Sequence, residues 1–191
     1  MKSLIILLLA LSISLSITYA LKNNTYSQKV EKFGIGLHGY VIGKTLNTKQ
    51  RIFMKSHLEK SDMKKALKFK DNSYFITVNG STNRVLAVHE NFFDIDYDKT
   101  MEILNKMESK FGKPTLEVHG TTFYWIIDQD GLVDAQRYKE IKNAIATKQH
   151  TPTVTVKFNT DTNIYTADNS MVTNAYYIIS STLLLEEFIN N

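Results

Sequence analysis

The sequence predicts an antiparallel α+β domain: a sheet with one long amphipathic helix packed on it. Three observations carry that expectation. Residues 74–78 and 85–88 are β-rich runs on either side of Asn79-Gly80-Ser81-Thr82-Asn83, a turn cluster, and together they read as a β-hairpin. Tyr97, Met101, Leu104, Met107 and Phe111 recur at helical spacing and so share one stripe of a helix over residues 97–111. Val154, Val156 and Phe158 alternate with polar neighbours, the period of a strand buried on one face. Turn-linked strands with a helix between them favour an antiparallel sheet over βαβ crossovers.

The other elements follow in chain order. Lys2, an apolar run over residues 4–11, and the small residues Thr18 and Ala20 around Tyr19 have the layout of a signal peptide cut after Ala20. Residues 4–21 are also just long enough to cross a bilayer, so an uncleaved anchor is the alternative; four hydroxyl residues in the second half favour cleavage. The organisation expected is therefore a signal peptide at 1–20, a polar leader at 21–32 and a single α+β domain at 33–191. The protein is expected to be periplasmic or secreted.

Within the domain, Phe33, Ile35 and Leu37 alternate with Gly34 and Gly36, which predicts a short strand closely approached by another backbone. Residues 44–70 show less regularity and hold nine basic side chains against Glu59 and Asp62. Asp96 or Asp98 can cap the long helix, Glu102 and Lys106 form a favourable pair along it, and Gly112 with Pro114 ends it. Strands are expected at 116–118, 122–127 (with Trp125) and 175–179, a turn at Asp128-Gln129-Asp130-Gly131, and helices at 133–147 and 183–188.

Phe33-Gly34-Ile35-Gly36-Leu37, Tyr74-Phe75-Ile76-Thr77-Val78, Arg84-Val85-Leu86-Ala87-Val88 and the helix end Lys110-Phe111-Gly112-Lys113-Pro114 occur in that order. Over residues 33–127 the chain resembles small exported, periplasmic bacterial proteins. These have an FGIxLG-like opening, a strand pair and a helix closing on KYGKP. His38 stands where that pattern has its second glycine, and Phe111 where it has tyrosine. The resemblance implies an α+β fold and an envelope location, and it supplies no catalytic residue.

Several chemistries are disfavoured by residue type and spacing. There is no cysteine, hence no disulfide, thiol nucleophile, thiolate site or cysteine-linked lipid anchor. His38, His57, His89, His119 and His150 form no HxH, HxxxH or HExxH pair, so no metal site is expected. Asp94, Asp96 and Asp98 begin like a calcium loop, but Lys99 occupies its glycine position and Asn105 its glutamate position. Gly34, Gly36 and Gly39 match a dinucleotide fingerprint, yet Tyr40-Val41-Ile42-Gly43 is a poor helix start, and no cofactor is expected. Hydrolase motifs are absent.

A net charge of +4 is too mild to indicate nucleic acid, and only Phe53 and Phe69 stand among the lysines of 44–70, too few for an interleaved stacking pattern. The candidate surface for an anionic partner comprises Lys55, Lys60, Lys64, Lys65, Lys68 and Lys70; an envelope protein or an anionic lipid surface would suit it. Three functions follow as expectations: a non-enzymatic binding or assembly module of the envelope, a secreted hydrolase with a site assembled from distant residues such as His89, His119 and Asp128, or an inhibitor or immunity protein for a secreted toxin. If export is right, the processed protein begins at Leu21, and intact-mass measurement of the exported product reads this directly. A product retaining Met1 contradicts it.

Overall fold

The structure, a computed structural model, describes residues 26–168 and 170–189. The signal peptide expected at 1–20 lies outside the described residues. Helix α1 is described over residues 26–31. After it come β1 (Gly36–Leu37), β2 (Tyr40–Val41), α2 (Thr48–Ser56), β3 (Leu58–Glu59), β4 (Ala66–Asp71), β5 (Tyr74–Asn79) and β6 (Val85–Asp96). Then follow α3 (Tyr97–Phe111), β7 (Leu116–Val118), β8 (Thr122–Asp128), β9 (Gly131–Val133), α4 (Ala135–Ala146), β10 (Val154–Thr160), β11 (Val172–Ser180) and α5 (Thr182–Ile189). The fold is mixed α+β with a large antiparallel sheet ordered β3-β4-β5-β6-β11-β10-β8-β7, and β9 pairs with β8. Its helical part is spread over several helices of different lengths.

One cross-strand row explains the sheet's inner face. Phe69, Ile76, Val88, Ile179, Val156 and Trp125 are successive register partners across six strands, and each is 0% exposed. Strand side chains alternate between faces, so the residues two places along point the same way. Burying each such side chain stabilises the fold by about 1.5–3 kcal/mol. Helix α3 lies against β6 and β11 and buries Ile103, Leu104 and Met107. Asp96 caps it by accepting the Lys99 N–H at 2.7 Å, and Glu102 accepts from both Lys99 and Lys106. Its C-terminal end is tied to the sheet by the Trp125 indole N–H, which donates to the Gly112 carbonyl at 2.8 Å.

Several local expectations change. The second half of the polar leader is helical, because Val30, 1% exposed, inserts into the core. Of the opening alternation only Gly36–Leu37 is strand; a Cβ at Gly36 would stand 2.0 Å from the Tyr40 carbonyl oxygen, so the close backbone approach is real. Segment 44–70 is more regular than its pattern implied. A capping box of Asn47 and Gln50 starts α2, and Phe69 anchors β4. In the β5–β6 turn the positive φ falls on Asn83, at 54°. Asn79 instead accepts the Ser81 and Thr82 N–H groups, and Gly80 is needed because a Cβ there would meet the Lys65 carbonyl oxygen at 2.5 Å. Asp94 sits in a bulge of β6 with φ 51°, while Asp96 caps α3, so the acidic string serves backbone geometry.

The row makes a measurable prediction. Val156→Ala lowers unfolding stability in urea by about 2–4 kcal/mol through lost burial and cavity formation, whereas Ile52→Ala, at a site 67% exposed, stays within about 0.5 kcal/mol of the parent.

Candidate functional site

The face opposite the apolar row is where the expected lysines meet other chemistry. Lys70, Phe75, His89, Ile178, Lys157, Tyr124 and Leu116 are register partners across seven strands, from β4 to β7. Lys70 is exposed and the others are half-buried. Inner positions between them are taken by the buried row, so alternation alone turns these side chains outward. The rings of Phe75 and His89 stack at 4.8 Å with an 18° interplanar angle. Lys68 and Lys70 hold their ammonium groups 4.8 and 5.4 Å from the Phe75 ring centre, and Lys157 lies 5.7 Å from that of Tyr124. Cations over aromatic faces gain an electrostatic attraction while remaining open to anions on their other side.

The six lysines are not all part of this surface. Lys68 and Lys70 belong to it through β4. Lys60, Lys64 and Lys65 lie in the connection between β3 and β4, and Lys55 is in the last turn of α2. A two-residue edge strand flanked by lysines also resists pairing with another sheet edge. Phe69, between Lys68 and Lys70 in sequence, is buried on the other face of the sheet, and it is β5 that places an aromatic, Phe75, beside both lysines in space.

At its far end the same face runs beneath α4. A cleft of about 490 Å³ opens there between Leu116, Val118, Tyr124 and Ile126 on the sheet and Tyr138 and Ile145 on the helix. No residue of α4 is fully buried, although its apolar residues recur in phase. Lys148 and His150 stand at the cleft, with Lys148 3.9 Å from Glu186. Next to it, Asp128 is 1% exposed and bonds Arg137, which also reaches Asp130 at 3.1 Å. His150 Nε2 lies 3.3 Å from the same carboxylate. This knot clamps the β8–β9 turn to α4 and its following loop.

The three residues of the hydrolase expectation are not brought together. Asp128 ends β8, His119 lies in the turn at the opposite end of that strand, and His89 is on β6, three strands away in the sheet. No group of three or more His, Cys, Asp or Glu side chains gathers to hold a metal among the described residues. Nor is any helix among them long and apolar enough to cross a membrane.

Sequence reasoning passed over a second cavity, between α3, β6, β11 and the β1–β2 hairpin. Glu90 and His38 meet there at 3.2 Å. The signal was present: Val88, Glu90 and Phe92 alternate along one strand, so a carboxylate occupies an inward position. Compared with protein-family models, with curated proteins and with solved structures, the chain matches none.

Burial, and secondarily Lys68, lowers the pKa of His89 from its ordinary value near 6.5. The imidazole is therefore neutral in the folded protein while the unfolded chain takes up a proton, so its contribution to stability declines as pH falls below that value. An NMR titration of the imidazole protons is expected to place the His89 midpoint below the usual histidine range. Lys68→Gln moves it upward; an unchanged midpoint contradicts the proximity of the two charges.

Proposed function

We propose that this protein is an exported, non-enzymatic binding module that docks on an anionic lipid surface through the second face of its sheet. One observation carries the reading: Lys68 and Lys70 stand over the ring of Phe75, which is stacked in turn on His89. A flat patch of cations resting on aromatic rings suits the boundary between lipid headgroups and acyl chains. Lysines attract phosphate at long range, and rings tolerate partial removal from water at one edge. The N-terminal apolar segment and the resemblance to small periplasmic proteins favour an envelope site for this activity.

His89, His119 and Asp128 stand at separate places in the sheet, which favours the binding reading over a hydrolase built on those three. Lys55, Lys60, Lys64 and Lys65 add long-range attraction near the β3–β4 edge, and Lys68 and Lys70 make the contact. Electrostatic attraction of this kind weakens as salt shortens the Debye length.

Sedimentation with vesicles tests it. Phosphatidylcholine vesicles containing phosphatidylglycerol are expected to retain the protein, and vesicles of phosphatidylcholine alone are not. Replacing Lys68 and Lys70 together by alanine removes about 2 kcal/mol of attraction, roughly thirtyfold in partitioning. Undiminished partitioning of a folded double variant overturns the assignment of this face.

A further inference from the structure

The β1–β2 hairpin turns through His38 and Gly39, both with positive φ, at 51° and 83°. This two-residue loop ordinarily takes asparagine, aspartate or glycine. Here it presents an imidazole that stacks on Tyr74, with ring centres 4.1 Å apart and planes within 11°. His38 Nε2 lies 3.2 Å from Glu90 Oε2, and Ser73 donates its hydroxyl to Glu90 Oε1 at 2.8 Å. The Glu90 side chain is 13% exposed and sits between Tyr74 and Tyr177 in the inner face of the sheet. A carboxylate offers about four lone-pair positions, so two further donors can be accepted after His38 and Ser73.

Tyr177 lines the same cavity and is 7% exposed. Its hydroxyl makes no hydrogen bond to another described residue and is not among the fully buried polar atoms, so it is open to a partner from the cavity. Burial and the nearby Glu90 push its pKa upward, so it stays a neutral donor. Phe92, Ile103 and Met107 supply apolar walls, and the cavity measures about 330 Å³, within the range of small-molecule sites. Lys99, Lys106 and Lys110 line it from α3, at spacings that put them on one side of the helix. Lys99 and Lys106 share Glu102, and Lys110 reaches the Gly36 carbonyl at 3.4 Å.

We propose that this cavity binds a small organic acid, about one ring in size, that carries a hydrogen-bond donor opposite its carboxylate. The ligand's hydroxyl donates to the Glu90 carboxylate and accepts from the Tyr177 hydroxyl, the apolar body lies against Phe92, Ile103 and Met107, and the carboxylate meets the lysines of α3. The site is independent of lipid docking, because it lies on the inner side of the sheet.

Calorimetric titration of the purified protein with 4-hydroxyphenylacetate, phenylacetate and tyramine separates the two polar contacts. The first is expected to bind, and the other two, lacking the donor or the acid, to bind at least about tenfold more weakly. Tyr177→Phe keeps the buried ring and weakens 4-hydroxyphenylacetate by about tenfold; Lys106→Ala with Lys110→Ala does the same from the other end. A melting temperature near that of the parent separates these losses from unfolding. No binding of 4-hydroxyphenylacetate, equal binding of all three compounds, or parental affinity in both variants overturns the proposal.

Discussion

The pairing of β11 with β6 holds the two halves of this chain together. Residues 87–96 of the first half are matched with residues 172–180 of the second, from Ala87 with Ser180 to Asp96 with Val172, with one shift of register at the bulge around Asp94. On one side of that seam lie β3, β4 and β5, and on the other β10, β8 and β7. The seam also sets the faces, since a slip of one residue would turn Ile179 outward and break the buried row from Phe69 to Trp125. A contact between segments so distant in sequence closes a long loop, which makes this the slow step expected of the topology.

Commitment of one face to apolar packing leaves the other face its freedom. The inner rows are filled by α3 and by the chain preceding β3, including Val30, Ile42 and Met54. The outer rows carry lysine, histidine and tyrosine among smaller apolar groups, and α4 roofs only the region near β7 and β8. The two proposed activities follow this division. Lipid docking uses the outward row, where lysine and aromatic side chains share one plane. Small-acid binding uses a place where the inner face departs from its apolar pattern, at Glu90, and where a hairpin with an unusual turn residue closes over it. Neither needs a metal or a nucleophile, and both draw on charges held by well-packed strands.

Much of the second half of the fold was legible from residues alone. The alternation of Val154, Val156 and Phe158, the stripe on α3 with its cap at Asp96 and stop at Gly112, and the turn at Asp128 to Gly131 are local matters of period and backbone conformation. Segment 44–70 was less legible, since α2 rests on a short capping box and β4 has lysines between its apolar residues. Phe69 reads as one aromatic among charges until Ile76 and Leu58 stand beside it.

What residues decide without help is local: where helices begin and end, which strand positions point together, and that no thiol chemistry exists in a chain without cysteine. Spatial convergence was decided by the folded chain. Lys68 and Lys70 acquire an aromatic partner from the next strand, His38 and Glu90 meet across 52 positions, and His89, His119 and Asp128 are kept apart. The physical reason is that strand order and register are set by long-range burial, whose energy depends on all the strands at once, while capping and alternation depend on a handful of neighbours.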